Sequence, residues 1–314
     1  MDQPVVTIGV LTYNSSKYII ETLESIKAQT YPKLILNISD DCSTDNTIDL
    51  CKQWIEENKD RFVKTKIIVH EHNTGVSGNA NRNWDACETE WFKDIAGDDL
   101  LLPNCIEYNM KYVNEHPETI VLFSRVRPFR VHHGKKIWEK ESWHDYNFFN
   151  LTPEEQYHYL FYNGNHLPAA PCFYNIKAIR NLNIRHDERI PLLEDYPKWI
   201  MLVRKGTTFS FMDKHTVGYR QNENSLSVGL FSPRFYKSNL LFYLYYYLDE
   251  IKQENNKDKI YNLMCDEALK FYTKTYNYVL IYKNSIDYKL GHLILYPFRY
   301  CKKKLKLIFK HERI

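Results

Sequence analysis

The chain has 314 residues and a formal net charge of +3, with 44% apolar and 26% charged residues. This composition is that of a globular protein and excludes an intrinsically disordered one. The length suffices for one large domain with an extension. The net charge is too small to argue for a nucleic-acid partner, and we expect none.

The seven cysteines are dispersed, and no two of them form a C-x-x-C pair. An odd, scattered set indicates reduced thiols, so we expect a cytoplasmic protein. The sequence passes from Met1 into a strand pattern without a basic region and an apolar core, so no signal peptide is expected. No run of about eighteen uncharged apolar residues occurs, so no transmembrane helix is predicted.

Strand-like runs alternate with helical patterns over the first 130 residues. Predicted strands cover Val5–Leu11, Leu34–Ile38, Lys66–Val69 and Trp91–Ile95, and predicted helices cover Tyr18–Gln29, a segment capped by Asp45, and Val76–Cys87. Such a series predicts an α/β fold whose parallel strands are joined by right-handed crossovers.

Polar clusters directly follow three of these strands, at Thr12–Ser16, Asp40–Ser43 and Gly97–Asp99. Ligands of open α/β sheets bind beyond the carboxyl ends of the strands, so the three clusters should meet in one cleft. The alternative is that Asp, Asn and Ser only form the turns. Because all three clusters follow strands and two of them carry adjacent carboxylates, the pattern favours the cleft.

Asp98 and Asp99 are adjacent carboxylates, which repel each other unless a positive charge lies near them. A hard divalent cation, Mn²⁺ or Mg²⁺, suits this pair because such ions combine few carboxylates with phosphate oxygens and water. The pair therefore favours a diphosphate-bearing substrate. The alternative, one Asp capping a helix that begins near Leu102, does not explain the second carboxylate.

Three further positions carry charge whose role the residues alone leave open. Asp40 and Asp41 can accept a hydrogen bond from a nucleobase N–H, or they can form the turn before a helix. Arg82 can bind phosphate or a carboxylate, or it can be a solvated surface residue. Glu194 and Asp195 can deprotonate an acceptor hydroxyl, or they can cap a helix.

Together these segments resemble the family-two glycosyltransferases with the GT-A fold, over about residues 4–228. The similarity rests on short strings in a fixed order: Thr12-Tyr13-Asn14, Gln29-Thr30-Tyr31-Pro32, Asp40-Asp41-Cys42-Ser43-Thr44-Asp45, Arg82-Asn83, Asp98-Asp99, Glu194-Asp195 and Tyr219-Arg220…Ser225-Leu226-Ser227. The resemblance implies inverting transfer of a hexose or N-acetylhexosamine from a UDP-sugar to a hydroxyl of a lipid-linked glycan, in bacterial surface polysaccharide synthesis.

The resemblance also implies which residues bind the nucleotide of the donor. Tyr13 and Asp41 would hold the uracil. Thr12, Asn14 and Asp40 would line the same pocket.

The remaining matches would bind the rest of the donor and carry the chemistry. Arg82 would lie near the diphosphate. Asp98 would lie near the ribose and, together with Asp99, would bind Mn²⁺ or Mg²⁺. Asp195 would be the catalytic base, and Glu194 beside it would shape the acceptor site.

The chain departs from the family pattern at two positions. Ala96 stands where relatives often carry an Asp, and the remaining acidic pair suffices for a metal. Asn222 stands where many relatives carry a histidine that can contact metal or diphosphate, which puts that contact in doubt. His215 is close in sequence but need not replace it.

The resemblance implies a mixed, mainly parallel sheet flanked by helices, with a helical C-terminal extension. We expect a GT-A catalytic domain at residues 1–228, divided into a nucleotide-binding half (1–100) and an acceptor half (101–228), and an extension at 229–314. Helical patterns cover Phe235–Lys252, Asp258–Tyr282 and a stretch from Leu290.

Residues 290–310 interleave bulky apolar side chains with basic ones, as interfacial segments do. Many enzymes of this kind extend lipid-linked glycans. We therefore expect peripheral association with an anionic membrane at the inner face of the plasma membrane. The alternative is a terminal helix packed on the catalytic domain.

Other functions share parts of this layout. A sugar-nucleotide nucleotidyltransferase needs a glycine-rich basic loop after the first strand, and a dinucleotide oxidoreductase needs G-x-G-x-x-G there, whereas residues 11–15 contain no glycine. A catalytically silent scaffold acting as a binding module is a third alternative. The joint presence of Asp41, Asp98, Asp99 and Asp195 argues against it.

Overall fold

The computed structural model describes residues 3–141, 146–190, 192–221, 238–239 and 241–247. Its first elements are β1 Val6–Thr12, α1 Ile19–Lys27, β2 Leu34–Asp40, α2 Thr47–Asn58, a 3₁₀ turn at Lys59–Arg61, β3 Lys64–Val69, α3 Gly75–Asp85, β4 Trp91–Ala96, β5 Leu100–Leu101 and α4 Cys105–Glu115. The predicted strands and helices of this half are confirmed, and their ends differ from the prediction by at most about two residues.

The second half supplies β6 Val121–His132, β7 Lys135–Trp138, a 3₁₀ turn at Tyr146–Asn150, α5 Pro153–Asn163, β8 Phe173–Asn175, α6 Ile176–Asn181, α7 Tyr196–Arg204 and β9 Phe209–Arg220. Within the described residues the strands form one sheet in the order β3-β2-β1-β4-β8-β6-β9-β5, with β7 paired to β6. β3, β2, β1 and β4 are parallel, as are β6 and β9, whereas β8 is antiparallel to both of its neighbours. The expected mixed α/β sheet flanked by helices is confirmed.

The register of the parallel half brings the polar strand ends together. Thr12 lies opposite Asp40, and Leu11 lies opposite Ala96. The amide of Asp41 donates to the carbonyl of Thr12 at 3.0 Å, and the amide of Gly97 donates to that of Leu11 at 2.9 Å. Because parallel strands end at the same edge, the three predicted clusters are neighbours.

Apolar side chains cover both faces of the sheet, which explains why β1, β2 and β4 are apolar almost throughout. One core packs α1, α2 and α4 against the parallel strands, with Leu23, Trp54 and Met110 among its members. The other packs α3, α5, α6 and α7 on the opposite face, with Trp84 and Trp199 at its centre. Helices fixed on both sides hold the strand ends in place.

Part of the C-terminal extension packs on this second core. Residues 241–247 are helical, with a π-type turn over Tyr243–Tyr247, and Phe242, Tyr246 and Tyr247 are buried there. The helix predicted over Phe235–Lys252 is described only at residues 238–239 and 241–247. The predicted helices beyond it, the membrane segment 290–310 and the domain boundary at residue 228 lie outside the described residues. No helix in the described part is long and apolar enough to cross a membrane.

We predict that Gly9→Ala destabilises the protein, because β1 lies too close to its neighbours for a side chain at this position. An added Cβ would overlap the ring of Phe92 and lie 2.6 Å from Nδ2 of Asn83. Overpacking of this kind costs about 1–3 kcal/mol, measurable by urea unfolding. Lys66→Ala, on the exposed face of β3, is the control and should change the free energy of unfolding by less than about 0.5 kcal/mol. Equal stability of the two variants would contradict the prediction.

Candidate functional site

Asp40 fixes the corner where β1 and β2 end. Its carboxylate accepts hydrogen bonds from the hydroxyl of Thr12 at 2.7 Å, the amide of Ser43 at 2.8 Å and the hydroxyl of Ser43 at 2.5 Å. The side chain of Asp40 is fully buried. Thr12 and Asp40 therefore stabilise the turn after β2 from inside the protein, which is the turn-forming alternative for Asp40.

Asn14 fastens the loop after β1 to the loop after β2. Its backbone is in the left-handed region, with φ of 49°, where Asn is better tolerated than most residues. Its amide donates to the hydroxyl of Ser43 at 2.7 Å, and its Oδ1 accepts from the amide of Thr44 at 2.8 Å. Tyr13, one residue earlier, is half exposed. The turn thus presents the Tyr13 ring at the strand end, where it can contact a planar base.

Asp41 is bonded to the first turn of α3 rather than to its own loop. Its carboxylate accepts from the amide of Thr74 at 3.0 and 3.1 Å, from the hydroxyl of Thr74 at 2.8 Å and from the amide of Gly75 at 2.8 Å. A carboxylate at this place satisfies amides that the helix itself cannot bond and interacts favourably with the helix dipole. Asp41 thus couples the end of β2 to α3.

Arg82, two turns into α3, bonds to the same Asp41 carboxylate. One Nη donates to Oδ1 of Asp41 at 3.1 Å, and Nε donates to Nε2 of His70 at 2.6 Å. Burial, followed by the charge of Arg82, lowers the pKa of His70, which keeps the ring neutral and able to accept this bond. The side chain of Arg82 is 27% exposed, so part of the guanidinium reaches solvent. A phosphate could bind there without breaking the pair with Asp41.

Asp98 and Asp99 follow β4, and neither caps α4, which begins only at Cys105. Asp99 is 3% exposed, whereas Asp98 is partly exposed. Burial raises the pKa of Asp99 well above its ordinary value, and the nearby charge of Asp98 raises it further, while the amide of Arg220 opposes both effects. The pair therefore carries unfavourable negative charge that a cation would relieve.

Arg220, at the end of β9, bonds to both residues of the acidic pair. Its amide donates to Oδ1 of Asp99 at 2.8 Å, and its Nε donates to the carbonyl of Asp98 at 2.6 Å. The guanidinium also pairs with Glu21, which in turn pairs with Lys136 of β7 at 2.5 Å. Because only 2% of its side chain is exposed and its guanidinium is paired with Glu21, Arg220 supports the site from within the protein.

The residues at this place fit a hard divalent cation that a substrate also binds. A cation bound by these two carboxylates and by no third protein ligand would keep open positions for phosphate oxygens and water. Among the described residues no group of three or more His, Cys, Asp or Glu side chains is arranged to hold a metal on its own. A cation at Asp98 and Asp99 would therefore depend on the donor for part of its coordination.

Glu194 and Asp195 precede α7 in a second acidic pair. Oδ1 of Asp195 accepts from the amide of Tyr196 at 2.6 Å and caps the helix, and Oδ2 accepts from Nδ2 of Asn165 at 2.7 Å. Burial raises the pKa of Asp195. Burial and the charge of Asp195 raise the pKa of Glu194 to about 7. The capping alternative is thus observed, yet it does not account for two neighbouring carboxylates in a partly buried place.

Lys198, on the first turn of α7, supplies the buried positive charge near this pair and lowers the pKa of both carboxyls. Its Nζ donates to the hydroxyl of Tyr174 at 3.0 Å and lies 4.3 Å from the ring centre of Trp199. On β4, Oδ1 of Asp94 is buried and makes no hydrogen bond within the described residues. Burial raises the pKa of this carboxyl as well.

Helix α3 connects the ends of β1 and β2 with the loop that leads to Asp195. The hydroxyl of Ser77 donates to the carbonyl of Ile190 at 2.8 Å. Nδ2 of Asn81 donates to the carbonyl of His186 at 2.9 Å, and Oδ1 of Asn81 accepts from the amide of His186 at 2.9 Å. The helix capped by Asp41 therefore also bonds to the loop that precedes the second acidic pair.

Residues 7–181, more than half of the chain, match the family model described as glycosyl transferase family 2. The chain belongs to this family. It is therefore a glycosyltransferase, which confirms the family expected from the sequence. The match ends before Glu194 and Asp195.

Individual relatives agree with this assignment. The glycosyltransferase is 25% identical over 231 residues to the uncharacterized glycosyltransferase MJ1057 of Methanocaldococcus jannaschii, covering 72% of this chain and 75% of that protein. It is 31% identical over 119 residues to the poly(ribitol-phosphate) beta-N-acetylglucosaminyltransferase TarS of Staphylococcus aureus, covering 37% of this chain and 20% of TarS.

The crystal structure of S. aureus TarS 1-349 in complex with UDP-GlcNAc has a similar fold. Its TM-score with this glycosyltransferase is 0.61 at 19% identity, and the superposition covers 85% of this chain and 73% of that chain. At this identity the similarity concerns the fold alone, and it confirms the GT-A architecture.

Three residues of the site were not identified from the sequence. His70 directly follows β3, so the strand-end rule that selected the other clusters would have found it. Lys198 lies in the apolar run of α7, where a lysine signals a buried charge. Arg220 was part of a matching string but received no role, because its contacts with residues 98 and 99 depend on how the strands pair.

We predict that Asp41→Asn lowers stability even without any ligand, because the amide group cannot replace a carboxylate that accepts from Thr74, Gly75 and Arg82. Loss of such buried bonds costs about 1–3 kcal/mol, measurable by urea unfolding. Asp49→Asn is the matched control, since Asp49 lies exposed in the first turn of α2 and its loss should cost about 0.3–1 kcal/mol. If Asp41→Asn were as stable as the wild-type protein, Asp41 would not support α3.

Proposed function

We propose that this glycosyltransferase transfers a hexose or N-acetylhexosamine, with inversion, from a UDP-sugar to a hydroxyl of a glycan acceptor in polysaccharide synthesis. The observation that carries the proposal is the presence of two acidic pairs on this glycosyltransferase fold, one directly after β4 and one directly before α7. One pair, Asp98 and Asp99, suits a diphosphate with its cation, and the other, Glu194 and Asp195, suits proton transfer. Inversion needs both in one cleft, because the acceptor must attack opposite the leaving group.

Asp195 is the proposed base. Burial raises the pKa of its carboxyl, which brings its proton affinity closer to the range in which a general base works well. Asn165 and the amide of Tyr196 fix the orientation of the two oxygens. The carboxylate takes the proton of the acceptor hydroxyl, the hydroxyl oxygen forms a bond to the anomeric carbon, and the bond from that carbon to UDP breaks.

UDP is the proposed leaving group and nucleotide. Support comes from the solved TarS complexes, which are described with UDP-GlcNAc and with UDP. In this chain, the exposed ring of Tyr13 and the Asp41–Arg82 pair border the place where β1 and β2 end. Arg82 would bind a phosphate oxygen through the part of its guanidinium that reaches solvent.

Mn²⁺ or Mg²⁺ is the proposed cofactor, held by Asp98 and Asp99. When bound, such an ion would stabilise the negative charge that develops on the departing diphosphate. The amide of Arg220 holds Oδ1 of Asp99, and its Nε holds the backbone carbonyl of Asp98.

We predict that Asp195→Asn reduces kcat by about 10²–10⁴ while the Kd for UDP stays near the wild-type value, because the amide cannot accept the proton. The measurement is transfer from UDP-hexose or UDP-N-acetylhexosamine, combined with calorimetric binding of UDP. Asp60→Asn, at an exposed carboxylate, is the control and should leave both values unchanged. Wild-type turnover of Asp195→Asn would reduce Asp195 to the cap of α7.

We predict that UDP stabilises the protein more than GDP does, and more with Mn²⁺ than in EDTA. At a hundredfold excess over Kd, a ligand adds about 2.7 kcal/mol to the free energy of unfolding, measurable by thermal shift. Asp99→Asn should abolish transfer and the Mn²⁺-dependent part of the shift, while Oδ1 of the asparagine still accepts from Arg220 and preserves the fold. A larger shift with GDP would contradict the base assignment, and a shift insensitive to EDTA would contradict the metal.

A further inference from the structure

Three aromatic side chains from the C-terminal extension are buried next to the second acidic pair. Phe242 and Tyr247 are fully buried and Tyr246 is 6% exposed, whereas Leu244 on the same segment is 39% exposed. We call Phe242, Tyr246 and Tyr247 the aromatic clamp. The clamp lies outside residues 7–181, which match the family model, so the family match assigns it no role.

The clamp contacts the residue that follows Asp195. The ring of Phe242 stacks on that of Tyr196, with 4.1 Å between the ring centres, and the hydroxyl of Tyr247 lies 3.3 Å from that of Tyr196. The amide of Tyr196 donates to Oδ1 of Asp195 at 2.6 Å. A shift of Tyr196 would therefore move the donor that orients the Asp195 carboxylate.

A second contact reaches the loop before the acidic pair. The hydroxyl of Tyr246 donates to Oδ2 of Asp187 at 3.0 Å, and Arg189 pairs with the same carboxylate at 2.6 Å. At the start of this loop, Nδ1 of His186 donates to the carbonyl of Glu194 at 2.9 Å. The loop is thus fixed on one side by α3 and on the other by the clamp.

The charged groups around the acidic pair come from three elements: Glu194 and Asp195 from the loop, Lys198 from α7, which lowers the pKa of both carboxyls, and Asp94 from β4, which raises the pKa of Glu194. Burial is the main reason why the pKa values of Asp195 and Glu194 are raised. Phe242 and Tyr247 pack against Tyr196, the buried residue that follows Asp195.

We propose that the aromatic clamp positions Asp195 for proton transfer, with Phe242 and Tyr247 fixing Tyr196 and Tyr246 fixing the loop at Asp187. The inference rests on the proposed role of Asp195 as the base. The proposal assigns the clamp residues no contact with donor or acceptor. They act through Tyr196 and the loop, and the C-terminal extension is therefore required for the chemical step.

The experiment compares Tyr246→Phe and Tyr247→Phe in the full chain, since both variants keep the ring and lose only the hydroxyl. We expect kcat to fall about tenfold in each, because a small displacement of a catalytic group is costly, with the Kd for UDP and the KM for the donor unchanged. We also expect the acidic limb of the kcat/KM profile to move to lower pH. Looser packing admits water to the carboxylate pair, which lowers its pKa.

Leu244→Ala, on the exposed side of the same segment, is the matched control and should keep the wild-type kcat and pH profile. Phe242→Leu provides a packing variant, read at a temperature where its circular dichroism matches that of the wild-type protein. Wild-type kcat in both tyrosine variants, or a loss of kcat without a shift of the pH profile, would overturn the inference. The proposed base fails separately, through an active Asp195→Asn variant, and the inference would then fail with it.

Discussion

The bond between the Asp41 carboxylate and the first turn of α3 holds the two sides of the site in one arrangement. Asp41 directly follows β2, and by accepting from Thr74 and Gly75 it fixes where α3 begins. From there Asn79 bonds to β1 and β2, and Asn81 bonds to the loop before Asp195. The polar side chains of α3 therefore fix the ends of β1 and β2 relative to the loop before the second acidic pair.

Asp99, Glu194 and Asp195 hold a proton to higher pH than ordinary carboxyls, because burial raises their pKa more than the nearby positive charges and hydrogen bonds lower it. The negative charge of Asp98 raises the pKa of Asp99, and the amide of Arg220 lowers it. The negative charge of Asp195 raises the pKa of Glu194. Each buried carboxylate costs stability unless a cation or a proton balances it. In the proposed function, a cation at the first pair or a proton taken up by the second would relieve this cost. Arg220 balances part of the negative charge at Asp99, and Lys198 balances part of it at Glu194 and Asp195.

Strand periodicity was enough to predict the parallel half of the sheet and the convergence of its polar ends, because the carboxyl ends of parallel strands necessarily meet. It also selected Asp41 and Asp98 as residues of the cleft edge. It could not predict what those carboxylates bond to. Arg220 reaches residues 98 and 99 only because β9 pairs with β5, and Asp41 bonds to α3 only because of the loop between them. Pairings between distant segments leave no periodic trace in a single sequence.

The extension illustrates the same limit in the second core. Helix α5 ends at Asn163, so the carbonyls of its last turn need partners from outside the helix. The hydroxyl of Tyr196 donates to the carbonyl of Leu160 at 2.6 Å, and that of Tyr247 donates to the carbonyl of Phe161. One tyrosine comes from the catalytic half and the other from the extension, and their hydroxyls lie side by side. The end of α5 is thus completed by both parts of the chain, so a tyrosine-rich segment that reads as an appendage in the sequence belongs to the core that supports Asp195.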